Sequence, residues 1–405
     1  MSGFVGDLSP KQETALQKFK ENIADVVEPH HDDSFLLRWL RARHWDVAKA
    51  EKMIRSSLDY KKKMRLDELY ETWQDSEVME KYFVGGLCGH DKNGCPIWID
   101  PFGNIDPKGI IYSCKSSDII KSKLVLSEKV HKICKEQSKK LGKRVETCVV
   151  IFDLENVTLN HIWKPFIDLY GQVLALFEAN YPEALEKCFI TRAPRLFSVG
   201  YNMVKPFLSE DTKKKVFILG NDFQDVLLQH IDADQLPQHF GGTLKDPDGD
   251  PRYTTKVCYG GKVPESYYLK DKELNTESMV STTVKSGAVL DLEYSVEEPG
   301  SHIRYEFSSE GADIAFGIFK KNGNKEMVEV LPVSRCKSNI VLEDGFFRVD
   351  EPGSYVVRFD NSFSWIKSKK IKYLVEVLPP DKEIEDQIDN ETEITGVCNG
   401  ISTQL

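Results

Sequence analysis

The chain carries many side chains that could do chemistry, but few stand at the spacings that chemistry requires. Its nine histidines and nine cysteines are the first candidates for a metal or a nucleophile. No H-E-x-x-H helix, no C-x-x-C pair and no Cys/His zinc spacing is present. No G-x-S-x-G turn presents a serine for attack. The phosphate loops G-x-x-x-x-G-K-[ST] and G-x-G-x-x-G are absent, and Gly85-Gly86 is too short to replace them. His30-His31 reads as an exposed pair between helices, and His239 as a packing residue beside Gly241-Gly242. Asp246-Pro247-Asp248-Gly249-Asp250 gathers three acids, as calcium would want. It is too short for an EF-hand loop and lacks the bidentate glutamate. No enzyme, no metal site and no cofactor is expected.

The more informative signal is a helix with too much apolar surface. Ala193 to Leu208 carries one stripe at Leu196, Met203 and Phe207 and a second at Phe197, Tyr201, Val204 and Leu208, with Val199 outside both. Spacings of three, four and seven put residues on one helical face. Such a helix must cover a core, a ligand or a membrane. Cys188-Phe189-Ile190-Thr191 before it and Val216-Phe217-Ile218-Leu219 after it read as buried strands. From about Ser76 the same α/β texture holds. Phe83 to Leu87 and Pro96 to Asp100 are strands joined by a hairpin turn at Asp91-Lys92-Asn93-Gly94. Ser117 to Lys139 is a long helix. Cys148 to Asp153 is a central strand covered on both faces. Trp163 to Asn180 is a helix turning Phe166, Leu169, Tyr170, Val173, Leu174 and Phe177 inward.

Before this lie three helices. Ser9-Pro10 starts the first, Asp32-Asp33-Ser34 caps Phe35 to Arg43 with Leu36, Leu37 and Leu40 inward and Trp39 beside them, and Asp46 caps the third. From about Thr276 short alternating segments separated by Glu298-Pro299-Gly300, Asn322-Gly323-Asn324 and Glu351-Pro352-Gly353 predict an antiparallel β-sandwich. The fold class is multidomain. An α-helical module spans 1–75, an α/β domain with a mixed sheet 76–249, a linker 250–274, a sandwich 275–380, and an acidic tail without fixed structure 381–405.

Tyr181-Pro182-Glu183, Arg192-Ala193-Pro194, Lys205-Pro206-Phe207-Leu208, Phe217-Ile218-Leu219-Gly220 and Leu236-Pro237-Gln238-His239-Phe240-Gly241-Gly242 follow one another in an order that resembles the CRAL-TRIO lipid-binding proteins. Phe35 to Arg43 resembles the helical module that precedes such domains. Glu351 to Tyr355 and Phe359 to Trp365 resemble a GOLD sandwich. The three parts together are similar to the supernatant protein factor, or tocopherol-associated protein, group.

The resemblance implies a pocket closed by the helix near Ala193–Leu208, with Phe166, Tyr170, Phe177, Cys148 and Val150 among its apolar walls. It also implies a headgroup site at Arg43, Glu183, Thr212 and Lys215. Lys215 and Arg43 suit a lipid phosphate, and Glu183 suits inositol hydroxyls; each charge-assisted bond contributes roughly 1.5–3 kcal/mol. A Glu183–Lys215 ion pair without a lipid role is the alternative. Two positions depart from the pattern. His44 stands where phosphoinositide binders often have lysine, and Cys148 and Val150 stand where phosphatidylcholine binders place hydroxyls.

The implied ligands are of the squalene, tocopherol or phosphoinositide class, and the implied role is lipid binding and transfer between membranes. The competing role is a lipid-sensing adaptor with a protein partner on the GOLD domain. A net charge of -10 argues against nucleic acid and against wholesale attraction to anionic membranes. Met1 to Lys11 lacks an apolar signal core, and no stretch of about 18 apolar residues occurs. The expected setting is cytoplasmic and reducing, with free thiols and transient visits to Golgi or endoplasmic reticulum membranes. The sequons at Asn156 and Asn390 then have no part to play.

Overall fold

The computed structural model describes residues 2–195, 197–220, 222–269, 279–323 and 326–380. The acidic tail, residues 270–274 of the expected linker, Asn324 and the pocket candidate Leu196 lie outside them. The chain divides into two compact units. One holds residues 1–62, 82–107 and 123–262, the other 63–81, 108–122 and the chain from 263 onward.

In the first unit, Ser9 caps α1 (Pro10–Asn22). Its hydroxyl accepts from the Gln12 amide at 3.2 Å, and the Gln12 side chain accepts from the Ser9 amide at 2.8 Å. Asp32 caps α2 (Asp33–Arg41), and α3 (Val47–Lys63) follows. Phe19, Ile23, Leu37, Leu40 and Ile54 form their core. Trp39, expected beside the apolar face, is buried in that core too, because α2 is covered on nearly every side. Two short helices, α4 (Leu66–Thr72) and α5 (Glu77–Tyr82), follow in the chain and, up to residue 81, belong to the second unit.

The sheet strands β1 (Gly86–His90), β2 (Pro96–Asp100), β3 (Cys148–Asp153), β4 (Leu185–Thr191) and β5 (Val216–Ile218) lie side by side in chain order. The first pair is antiparallel and the rest are parallel. Parallel neighbours need crossovers. These are α6 (Pro107–Ser113) and α7 (Ser116–Leu141), then α8 (Lys164–Asn180), then α9 (Phe197–Val204) and α10 (Glu210–Lys214); α11 (Phe223–His230) follows β5. Gly86 is where the backbone of residues 256–257 comes closest. A Cβ there would stand 2.0 Å from the Lys256 carbonyl oxygen. Val257, within the expected linker, is fully buried in the sheet's core, so this part of the linker belongs to the first unit.

Two expectations change. β5 is not buried: Phe217 is 41% and Ile218 57% exposed, because an edge strand has one neighbour. The long helix expected over Ala193–Leu208 is shorter. It runs as α9 from Phe197 to Val204 and continues as a 3-10 turn through Phe207. Pro194 disfavours helix for Ala193, and Pro206 has no N–H to continue the ladder.

The second unit contains β6 (Val280–Val284), β7 (Val289–Val296), β8 (His302–Glu310), β9 (Ile314–Lys321), β10 (Met327–Cys336), β11 (Glu343–Arg348), β12 (Gly353–Asp360) and β13 (Lys369–Leu378). They make two antiparallel sheets, β10-β9-β12-β7 and β11-β8-β13-β6. Phe307 packs against Phe316 at 4.7 Å and against Phe359 at 5.1 Å between ring centres. This is a β-sandwich with one shared apolar core.

Candidate functional site

The first unit encloses a cavity of about 710 Å3, within the range of pockets that hold one small ligand. Its walls come from β2, β3 and β4, from α7 and α8, and from the α9 segment. Tyr170, Phe177, Cys148 and Val150 line it, as the resemblance implies. So do Phe197, Tyr201, Val204 and Leu208, the second stripe of the apolar helix. Burial pushes the Cys148 and Cys188 thiols up, Cys188 to about 12, so both present neutral sulfur to the cavity.

Three expected wall residues do not line it. Phe166 is buried beneath, with its ring 5.7 Å from Phe102 and 6.1 Å from Tyr170. Met203 and Phe207, the described members of the other stripe, are not among the side chains that line it. Val199 is 47% and Phe207 38% exposed. The segment therefore wears one apolar face inward and one outward.

One end of the cavity is charged. Arg43, His44, Glu183, Thr212 and Lys215 all line it, so the four headgroup candidates stand together. Glu183 adopts a left-handed backbone conformation, φ 57°, after Pro182. Its carboxylate lies 3.6 Å from Lys215 Nζ and 3.9 Å from Arg41 Nε. Those are ionic contacts too long for hydrogen bonds. Lys215 Nζ donates to the Leu185 carbonyl at 2.8 Å. Arg43 donates to the Ala42 carbonyl at 2.8 Å and faces no carboxylate among the described residues. The Thr212 hydroxyl shares a hydrogen bond of 2.8 Å with Ser209, whose hydroxyl also accepts from the Thr212 amide to cap α10. His44 lies 3.6 Å from Asp211.

Behind this end, Arg38 is buried and donates to the Pro182 carbonyl at 3.2 Å. It also donates to His131 Nε2 at 2.9 Å. His131 Nδ1 meets the Ser127 carbonyl at 3.1 Å. Burial and the Arg38 charge press His131 down to about 3. Neutral imidazole, with its proton on Nδ1, fits both contacts. Tyr181 donates to Glu128 at 2.9 Å, and Glu128 pairs with Lys61 at 2.9 Å. The Tyr-Pro-Glu segment is thus tied to α2, α3 and α7.

A second polar group sits among the apolar walls. Asp100, at the end of β2, lines the cavity, and its Oδ1 has no hydrogen-bond partner. Burial raises it to about 6, against the pull of Lys123, Trp98 and Tyr170. Lys123 itself lies 4.0 Å over the Phe83 ring.

Where the chain leaves β4 for α9, Arg192 makes a fork onto buried Asp153 at 2.8 and 2.6 Å. It also donates to His239 at 2.7 Å and meets Glu155 at 3.2 Å. Asp153, Glu155 and His239 are close enough to hold a metal ion, but the guanidinium already supplies the positive charge at their centre. The expected packing role of His239 is thereby a specific one: it accepts from Arg192. The acids of residues 246–250 are likewise used internally. Asp246 accepts from the Thr254 hydroxyl at 2.9 Å and Asp250 pairs with Arg252 at 3.0 Å.

Comparison with known proteins shows the family. Residues 80–242 match the CRAL/TRIO domain and residues 12–56 the CRAL/TRIO N-terminal domain. Protein ctg-1 of Caenorhabditis elegans is 32% identical across 85% of this chain and 91% of its own length. The chain belongs to the CRAL-TRIO family. CRAL-TRIO proteins bind and transfer lipophilic ligands and are not typically enzymes. A second relative, CRAL-TRIO domain-containing protein T23G5.2 of Caenorhabditis elegans, is 31% identical over 78% of this chain, which spans 45% of that protein. Among solved structures, Sfh5 superposes with a TM-score of 0.50 at 16% identity, over 62% of this chain and 92% of its own; it shares the CRAL-TRIO fold. Residues 266–385 match the F28H7_8_C:-like, C-terminal domain. Among the described residues no helix is long and apolar enough to cross a membrane.

Arg41 beside Glu183, Asp100 in the cavity wall and Asp153 under Arg192 are polar groups of this region that the sequence did not single out. Asp153 and Asp100 each end an apolar strand, and a polar residue at a parallel strand's carboxyl end is the signal that could have found them.

Proposed function

We propose that this protein is a soluble lipid carrier. It takes one hydrophobic lipid of the squalene, tocopherol or phosphoinositide class from a membrane into the cavity and releases it at another. The observation that carries this reading is the two-faced segment from Phe197 to Leu208. Its inner stripe lines the cavity, while Phe207 of the other stripe and Val199, outside both stripes, are exposed. Burying several hundred Å2 of acyl or isoprenoid surface, at about 25 cal/mol per Å2, offsets extraction from the bilayer.

In this reading the segment is a gate. It swings at the membrane, with its outer face entering the lipid surface, and closes over the tail. Arg43 and Lys215 hold a phosphate, Glu183 accepts from ring hydroxyls, and Thr212 orients the group. The absence of hydroxyls at Cys148 and Val150 favours an apolar guest over phosphatidylcholine. We assign the helical module to 1–75, the lipid domain to 76–249, the linker to 250–274, with its Val257 packed into the sheet's core, the GOLD-like sandwich to 275–380, and the setting to cytoplasm with transient Golgi or endoplasmic reticulum contact.

The test is transfer between donor and acceptor vesicles. Val199→Asp with Phe207→Asp should abolish transfer while the folded protein keeps its thermal stability. Unchanged transfer contradicts the gate. Binding of one lipid per chain without repeated transfer favours a lipid-sensing adaptor.

A further inference from the structure

Trp365 and Ile366 are 96% and 90% exposed, the two most exposed large apolar side chains among the described residues. They are neighbours, at the tip of the loop between β12 and β13. Burial is the usual fate of such residues, and a bare Trp-Ile pair has no packing reason to exist.

The loop beneath them is fixed. Asn361 is fully buried, and its side-chain amide nitrogen faces the carbonyl oxygens of Val284, Lys285 and Lys367 at 3.1, 3.0 and 3.0 Å. That ties the root of the loop to the β6–β7 turn. The Ser364 amide donates back to the Asn361 carbonyl at 3.1 Å, and the Phe363 ring is held between Arg335 at 4.4 Å and Lys369 at 4.0 Å. A fixed root under an exposed apolar tip suits the presentation of that tip to a partner, since little ordering remains to oppose binding.

The charge around the tip is opposite to that of the chain. Lys285 and Lys367 are exposed and pair with no carboxylate among the described residues. Arg335 and Lys369 share Asp313, at 2.5 and 3.6 Å. Asp360 accepts from the Ser362 amide at 2.6 Å. Lys369 is buried beneath the loop, so the exposed cations near it are Lys285, Lys367 and Arg335, with Asp313 and Asp360 as the carboxylates, on a protein whose net charge is -10. An indole beside an aliphatic side chain, with two exposed lysines at the root of its loop, matches the interface of an anionic bilayer. There tryptophan sits at headgroup level and lysines near the surface are drawn to the anionic headgroups. A protein partner is the poorer fit, because a stable protein interface needs about 800 Å2 per side. A two-residue tip offers less, whereas a fluid bilayer closes around it.

We propose that the β12–β13 loop of the sandwich is a membrane anchor. Trp365 and Ile366 enter the interface of an anionic bilayer, and Lys285 and Lys367 face the lipid phosphates. The anchor adds to the membrane contact of the carrier reading and does not depend on the cavity.

The test uses the full chain and floating vesicles of phosphatidylcholine with about 30 mol% phosphatidylserine. Wild type should float with them, less so as salt rises. Trp365→Ser with Ile366→Ser should weaken binding about tenfold or more. Lys285→Glu with Lys367→Glu should remove the preference for the anionic vesicles. Ile366→Asp alone serves if the double apolar variant does not fold. Filling of the cavity is followed separately by native mass spectrometry with detergent-delivered α-tocopherol, which needs no vesicle. Loop variants that bind vesicles as wild type does overturn the anchor, whether or not the cavity fills. Loop variants that lose the vesicles support it even if α-tocopherol is never taken up, an outcome that counts against the carrier alone.

Discussion

The ring of Phe207 occupies the place that a side chain on Gly171 would need. A Cβ built on Gly171 would stand 2.6 Å from Phe207 Cε2. The glycine in α8 thus forms the seat on which the outer end of the gate segment rests. Phe207 itself stays 38% exposed on its far side.

Gly171→Ala should unseat that ring. Helix propensity alone would make alanine stabilising, by up to about 1 kcal/mol. Overpacking works the other way, and at roughly 1–3 kcal/mol it should win. Hydrogen exchange over residues 197–208 should quicken while the sandwich keeps its protection. Equal exchange with raised stability would show that the contact does not hold the gate.

Lys215 distinguishes a headgroup site from a plain ion pair. Its 3.6 Å separation from Glu183 is too long for a hydrogen bond, so the ammonium is not committed to that carboxylate. Lys215→Ala should weaken phosphatidylinositol uptake about tenfold or more, by loss of one charge-assisted bond, and leave α-tocopherol uptake unchanged. If the two form only a structural pair, uptake of both lipids is unaffected and thermal stability falls instead.

Much of this site is legible in the sequence because it is built from local rules. The inner stripe Phe197, Tyr201, Val204 and Leu208 is a helical spacing, and it lines the cavity. The short elements of the sandwich are set by turn residues and alternation. What is not legible depends on neighbours distant in the chain. Val216 to Ile218 has the composition of a buried strand, but only the sheet order makes β5 an edge. Phe166 and Phe177 share one helical face by spacing, yet only Phe177 reaches the cavity, because the Phe102 ring covers Phe166. Arg192 is one arginine in a motif, and its role depends on Asp153 and His239 arriving from opposite sides in sequence.

Asp100 should make stability depend on pH. Its folded value is raised to about 6 from 3.8. Between those values the folded chain holds the proton more tightly, so stability is lost as pH rises from about 4 to 6 and stays lost above. Asp100→Asn should therefore stabilise the empty protein near pH 7, by on the order of 2 kcal/mol, with the gain vanishing by pH 4. Thermal unfolding across this range measures it. A gain that is equal at both ends would place the effect elsewhere.

Arg192→Ala should be costly for the opposite reason, since it leaves the buried Asp153 carboxylate uncompensated. The expected loss is roughly 3–5 kcal/mol. Arg192→Lys should recover only part, because lysine cannot reproduce the fork. Zinc added to wild type should leave thermal stability unchanged. A zinc-dependent rise would mean that Asp153, Glu155 and His239 hold a metal in solution.

The most direct test of the central claim is native mass spectrometry with lipid extraction on protein purified from its own cells. One isoprenoid, tocopherol-like lipid or phosphoinositide per chain, lost from a variant with Tyr201→Asp and Leu208→Asp in the inner stripe, is the predicted result. A folded protein whose cavity is empty, and which takes up nothing from mixed-lipid vesicles, would contradict the carrier.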